Sequence, residues 1–269
     1  MMKRKIICFL AIMLPVWCTA QLTDGQIRDL CQEAEKCFRE AVELPSSEYA
    51  RAQELYGQAA RRYEKVLAES SHRNGKLYYN LGNVYMRLDE LGLAILNYRR
   101  AQQLLPNDEN LLRNLAYARL QCRDSFEVPE QEKVLKTIFF WHYDFAPSLR
   151  QALFLGIYLL FWLAMLTGLW CRRGWLRLAT LLLLLPLLAL LASLGLDWRQ
   201  RKLDNPGVIV SKEVIARQGD ATTYAEAFQE PLHAGTEFTI LQRRQDWAEI
   251  RLPGGQTCWI PGNSLMTVN

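Results

Sequence analysis

The chain has 269 residues, 50% of them hydrophobic and 22% charged, which excludes a disordered polymer and leaves room for more than one domain. Its formal net charge of +4 is concentrated near the N-terminus and around two apolar runs. No globular segment therefore carries the basic patch that nucleic-acid binding needs, and nucleic acid is not an expected partner.

The N-terminal stretch MMKRKIICFLAIMLPVWCTAQ has Lys3, Arg4 and Lys5 ahead of an apolar run from Ile6 to Trp17, then Cys18, Thr19 and Ala20. This is the anatomy of a secretory signal peptide over residues 1–20, cut before Gln21. The apolar run is shorter than the roughly 20 residues a membrane span takes. Cys18 raises the question of lipid attachment, but the bulky Trp17 before it fits that modification poorly.

Residues 21–124 are expected to be helical. The segments 27–44 and 52–67 read as a helix pair, the second carrying Ala59, Tyr63 and Val66. Pro45, Ser46 and Ser47 make the turn between them, and Ser47 followed by Glu48 reads as a helix start. Residues 75–108 then read GKLYYNLGNVYMRLDELGLAILNYRRAQQLLPND. Tyr78, Leu81 and Tyr85 form an apolar stripe at helical intervals. Gly82 and Ala94 are small where two helices must approach closely, Tyr98 and Ala101 continue the stripe on the second helix, and Pro106 ends it. A shift of about 34 residues places Asn110, Leu112, Leu115, Ala116 and Leu120 on a further helix that reads as a cap. On the polar side of the clearest repeat, Lys76, Asn80, Asn83 and Arg87 share one face, and the same shift brings up Asn110, Asn114, Tyr117 and Gln121. Tyr79 and Arg113 flank that face. It is either a binding groove or a solvated helix surface.

The spacing of Leu81, Gly82, Tyr85, Ala94, Tyr98, Ala101 and Pro106 resembles the tetratricopeptide repeat. That resemblance implies a helical solenoid whose first helices line a concave groove for an extended peptide, and asparagine amides suit a peptide backbone.

A linker over 125–150 follows, with Phe139, Phe140, Trp141, His142, Tyr143 and Phe145 reading as an interfacial segment. Ala152–Trp170 and Leu178–Leu196 contain no charged residue and are each long enough to cross a membrane as a helix, Pro186 lying in the second. The expected spans are 151–171 and 178–196, joined by a turn over 172–177 and followed by a linker over 197–206. Arg172, Arg173 and Arg177 in the turn are matched by Arg150, Arg199, Arg201 and Lys202 at the other ends, so flanking charge does not orient the hairpin. The signal sequence does. It exports the repeats, leaves the turn 172–177 in the cytoplasm and returns the last segment to the outside.

Residues 207–269 alternate in short β-branched runs bounded by Gly, Pro, Asn and Asp, with Pro253-Gly254-Gly255 as a hairpin turn. Val214, Ala216, Arg217, Leu232, Gly235, Thr236, Asp246, Trp247, Ile250, Gly255, Trp259, Ile260, Pro261 and Leu265 resemble, in order and spacing, the bacterial SH3-like barrel family. Cys258 before the tryptophan departs from that pattern. The resemblance implies a small barrel that binds protein or peptidoglycan. Trp247 and Trp259 read either as ligand contacts or as aromatic area in or beside the barrel core; Tyr224 and Phe228 are the more exposed candidates.

No phosphate-binding loop, zinc-protease helix or nucleophile elbow occurs, and His72, His142 and His233 lie in separate segments. No catalytic residue, metal site or cofactor is expected, and the chain reads as a non-enzyme. Of seven cysteines, Cys31, Cys37, Cys122 and Cys258 fall in the exported parts. Cys31 and Cys37 sit on one helix facing different ways, and either could reach Cys122; free thiols and a disulfide both remain open.

The expected fold class is therefore multidomain α + β: a helical tetratricopeptide-repeat solenoid, a two-helix transmembrane hairpin and a C-terminal all-β SH3-like barrel. That order resembles the BatE family of the Bacteroides aerotolerance operon. The resemblance implies an inner-membrane protein of an envelope or oxidative stress complex, with both globular parts periplasmic. Its implied partners are other Bat membrane proteins, including von Willebrand A-type proteins and a MoxR-type ATPase. An envelope anchor whose SH3-like part binds peptidoglycan is the alternative.

Overall fold

The computed structural model describes residues 22–70, 74–126, 137–143, 145, 147–171, 174–203 and 205–268. The expected signal peptide, His72, Arg172, Arg173 and residues 127–136 lie outside them. The chain is mostly helical, with two long apolar helices and a C-terminal antiparallel sheet.

Thr23 starts α1 (Asp24–Glu43) with a reciprocal cap: its hydroxyl accepts from Gln26 N, and Gln26 Oε1 accepts from Thr23 N at 2.9 Å. A single 3-10 turn, Ser46–Glu48, leads into α2 (Tyr49–Glu69). Ser47 does not start that helix as its sequence suggests. It lies inside the 3-10 turn, the N-cap is Glu48, and no side chain caps α2, because the Glu48 carboxylate instead accepts from Arg51 Nη1 at 3.3 Å. Asn74 caps α3 (Gly75–Arg87) through Lys76 N at 2.9 Å, and Asp108 caps α5 (Glu109–Leu120) through Leu111 N at 3.0 Å. Between them runs α4 (Leu91–Leu104), which stops just before the exposed Pro106. Asp89, at φ 59°, makes the tight α3–α4 turn.

Consecutive helices pack on one another through α5, and α3 also reaches α5. Ala59, Tyr63, Val66, Leu81, Tyr85, Ala94, Tyr98 and Ala101 are buried in their shared core. Gly82 is required by distance. A Cβ there would sit 2.6 Å from the Tyr98 ring, closer than real carbon atoms approach. In the last helix the buried positions repeat those of α3 at a shift of 34 residues, Leu77, Leu81 and Val84 being matched by Leu111, Leu115 and Ala118, so of the apolar residues expected there Leu115 alone is buried. Leu111, Leu115 and Ala118 are buried, whereas Leu112, Ala116 and Leu120 are exposed, Leu120 at 85%. Among the described residues no sixth helix follows to cover that second stripe.

A short helix α6 (Phe140–Tyr143) precedes α7 (Pro147–Cys171) and α8 (Gly174–Leu203), which pack together as a hairpin. Ser148–Trp170 and Gly174–Asp197 have mean hydropathies of 2.1 and 2.4 and are long and apolar enough to cross a membrane. Helix α8 begins at Gly174 and continues past Leu196 to Leu203, so most of the hydrophilic stretch after the apolar run is helix rather than linker. Pro186 lies within it without ending it.

The sheet has the order β6-β5-β4-β1-β7 and is open, with β6 and β7 as its edges. Its strands are β1 (Pro206–Ile209), β4 (Glu237–Arg244), β5 (Trp247–Arg251), β6 (Thr257–Pro261) and β7 (Leu265–Thr267). A separate ribbon pairs β2 (Glu213–Val214) with β3 (Leu232–His233). The turn at Pro253–Gly255 joins β5 to β6, and Gly255 supplies its φ of +84°. Ile209, Phe238, Ile240, Ile250, Cys258 and Ile260 build the core of this part.

Sheet and helices are not separate modules. Strand β1 packs on α4, and Val208 and Val268 are buried in the helical core rather than in that of the sheet. Arg100 Nη2 donates to the Thr267 carbonyl at 2.8 Å, and Arg119 Nε lies 2.6 Å from the Glu237 carboxylate. Past α5, Asp124 accepts from His233 N at 2.7 Å and from the Thr236 hydroxyl, and meets His233 Nδ1 at 2.6 Å.

Candidate protein-binding groove

Helices α3 and α5 carry the polar faces that the helical spacing brings together, and the structure ties them through side chains. Asn114 Nδ2 on α5 donates to Asn83 Oδ1 at 2.9 Å and to the Tyr79 hydroxyl at 3.1 Å. The Tyr98 hydroxyl on α4 donates to the same Asn83 oxygen at 2.8 Å, and the Tyr79 and Tyr98 rings lie 6.1 Å apart. The Asn80 side chain lies near the Tyr63 hydroxyl of α2, next to a second helix pair. Burial pushes Tyr63 up to about 12 against the lowering effect of that amide, and burial likewise raises Tyr98, so both phenols remain protonated. Asn83 Nδ2 and Asn114 Oδ1 have no hydrogen-bond partner among the described residues, which leaves one donor group and one acceptor in the pattern a peptide bond takes.

The remaining residues expected at the groove frame this row. Lys76, Arg87, Tyr117 and Gln121 are exposed, Tyr117 at 59%, and Arg113 bonds Asn110 across one turn of α5. Lys76, Arg87 and Arg113 make no ion pair among the described residues, so the face presents unneutralised positive charge. Helical spacing put these residues on polar faces; it did not reveal that the central ones are spent on one another. That pairing joins residues 31 apart on different helices and has no local signature.

The four aromatic candidates of the C-terminal part do not form one cluster. Tyr224 is 49% exposed, with its ring so close over Gly219 that a Cβ there would lie 2.6 Å away, and Arg217 Nη1 donates to its carbonyl at 2.8 Å. Trp259 is 8% exposed and exchanges backbone hydrogen bonds with Arg217, while Arg244 covers its ring at 5.3 Å. Cys258 and Ile260 on either side of it face the core, so Trp259 is buried on the opposite face of β6. Trp247 is half-buried, and Phe228 packs against the core.

Sequence reasoning also missed a polar cluster at the open end of the apolar hairpin. Arg150 Nη2 meets Asp197 Oδ2 at 2.5 Å, and Arg150 Nη1 lies 2.6 Å from Ser193 Oγ and 2.9 Å from His142 Nδ1. His142, which reads as an interfacial residue, thus clamps α6 to α7 and α8.

Cys31, Cys37, Cys122 and Cys258 are free thiols. Burial raises Cys31, with Glu35 adding to it, and burial pushes Cys122 up to about 11 and Cys258 to about 12. At neutral pH these three are protonated and poorly nucleophilic. No family model, curated protein or solved structure matches the chain.

Proposed function

We propose that this protein is a membrane-anchored scaffold that grips an extended segment of a partner along the α3–α5 face and catalyses no reaction. In this reading the five helices are a short tetratricopeptide-repeat solenoid, the sheet is an opened SH3-like barrel, and both stand on the periplasmic side of a bacterial inner membrane. The observation that carries it is the row Tyr98–Asn83–Asn114–Tyr79, a polar floor held rigid by its own hydrogen bonds with a donor and an acceptor left over. Unpaired Lys76, Arg87 and Arg113 beside that floor favour a partner segment carrying carboxylates. The resemblance to BatE proteins makes other Bat membrane proteins the expected partners.

The test uses residues that touch the groove without supporting it. Asn80 and Asn114 are poor choices, because Asn80 lies beside the buried Tyr63 hydroxyl and Asn114 holds the floor together. The exposed Arg113 and Tyr117 belong to the residue types that dominate interfaces. The double variant Arg113→Ala, Tyr117→Ala should keep its helicity and lose the Bat-type proteins cross-linked to the full chain in membranes, identified by mass spectrometry. An unchanged set of cross-linked proteins sinks the groove assignment.

A second reading, cell-wall anchoring, draws on the exposed Tyr224 beside Arg217. It predicts that detergent-solubilised full chain sediments with purified sacculi and that Tyr224→Ala does not. The full chain is needed, since residues 205–269 alone would strip the cover from Val208 and Val268.

A further inference from the structure

A cleft of about 950 Å³ opens where the three parts of the chain meet, between the end of α4, the open end of the α7–α8 hairpin and the sheet. Three guanidinium groups line it: Arg99 of α4, Arg150 of α7 and Arg251 of β5. Arg150 is 3% exposed; its Nη atoms serve Asp197, Ser193 and His142, but its buried Nε–H has no acceptor among the described residues. Arg99 repeats the situation. Its Nη1 donates to Gln102 at 2.8 Å, while its buried Nε lies 3.0 Å from Glu237 without the alignment of a hydrogen bond. Arg251 is exposed and has no side-chain hydrogen bond or ion pair among the described residues.

Guanidinium groups only donate, so whatever completes this set is an acceptor. A buried N–H left without one is destabilising, and two of the lining side chains carry such a group. Three cations against the carboxylates of Asp197 and Glu237 leave the lining positive. Tetrahedral oxyanions match the planar fork of arginine, which binds them through paired N–H groups. The position narrows the source. Arg150 and Asp197 stand at the same end of the two apolar helices, where Ser148–Trp170 begins and Gly174–Asp197 finishes. When these helices span a bilayer, that end lies at the level of the lipid headgroups.

We propose that the cleft binds the phosphate of an anionic phospholipid from the leaflet at the open end of the hairpin, and so fixes the globular parts against the membrane surface. This rests on the membrane reading of α7 and α8. The probe is phosphatidylglycerol added to the delipidated full chain in detergent micelles, with phosphatidylcholine as the comparison and retained lipid counted by native mass spectrometry. The wild-type chain should keep phosphatidylglycerol in preference. Arg251→Gln, at an exposed position, should weaken retention about tenfold, the effect of losing one charge-assisted contact, and Arg251→Lys should recover part of it. Equal retention of both lipids, or an unchanged Arg251→Gln, overturns the site. Displacement of the lipid by equimolar inorganic phosphate overturns the lipid source and leaves a site for a soluble oxyanion; resistance to it supports the lipid. Carbonate extraction separates the two layers of the argument, because a chain that stays in carbonate-washed membranes but does not discriminate between the lipids overturns the cleft alone.

Discussion

Asp124 shows how much one side chain just beyond α5 can decide. Burial pushes its carboxyl up, but the His233 backbone N–H, the Thr236 hydroxyl and the His233 ring outweigh that and hold it below its ordinary value of 3.8. A depressed carboxylate contributes stability that is complete above the ordinary value and is lost as pH falls through the lower folded one. The unfolding midpoint of the wild-type chain should therefore drop on acidification below about pH 4. Asp124→Asn, which no longer titrates there, should flatten that part of the curve. Asp124→Ala leaves the His233 N–H and the Thr236 hydroxyl without their acceptor and should cost about 2 kcal/mol in denaturant unfolding at neutral pH. Nothing local marked this residue, since its partners lie 109 and 112 positions away. Two asparagines of α3 and α5 were easier to read. Helical spacing alone put Asn83 and Asn114 on polar faces, and only their bond to each other needed the fold.

At the level of single elements, helix periodicity carried most of the information, and it blurred where two apolar stripes lie side by side. Helix α5 offers Leu111, Leu115 and Ala118 on one stripe and Leu112, Ala116 and Leu120 on the next. The expected set, Leu112, Leu115, Ala116 and Leu120, mixes the two; the stripe that enters the core is the one a shift of 34 residues carries over from Leu77, Leu81 and Val84 of α3. The exposed stripe, with Tyr117 beside it, extends the proposed groove by an apolar edge that a partner can cover. Leu120→Asp should accordingly reduce cross-linking to the partner while leaving the unfolding free energy within about 0.5 kcal/mol of the wild-type value, as surface changes do. Loss of stability instead would place Leu120 in the fold rather than at an interface. Gly82 on α3 gives the opposite expectation. Replacing it with alanine drives a Cβ into the Tyr98 ring and, through the Tyr98 hydroxyl, displaces Asn83. Overpacking of that kind costs about 1–3 kcal/mol, and circular dichroism during thermal unfolding would register it.

The whole molecule depends on a contact that no sequence pattern announced, the seating of β1 on α4. Charge, periodicity and turn residues each describe one segment at a time, so they separated a helical part, an apolar hairpin and a β part, but left the three unplaced relative to one another. The proposed orientation has its own check: an impermeant thiol reagent applied to intact spheroplasts should not label Cys171, the last residue of α7 beside the turn proposed to be cytoplasmic, and labelling from outside would reverse the arrangement. The seating is tested at Gly92. A Cβ on this residue would stand 2.5 Å from the Ile209 carbonyl oxygen and 2.9 Å from Val210 Cα, backbone atoms that move only if the strand moves. Two effects of Gly92→Ala then oppose each other. Inside a helix the change stabilises by up to about 1 kcal/mol through propensity. Forcing β1 away from α4 uncovers Val208 and Val268 and strains the Arg100–Thr267 and Arg119–Glu237 contacts, which costs about 2–3 kcal/mol. The second effect is larger, so the variant should be less stable than the wild type, with faster amide exchange in β1 and at the start of α4 and unaltered protection in α1 and α2. A more stable Gly92→Ala would mean that helix and strand are not in contact in the working protein, and the cleft between them would lose one of its walls.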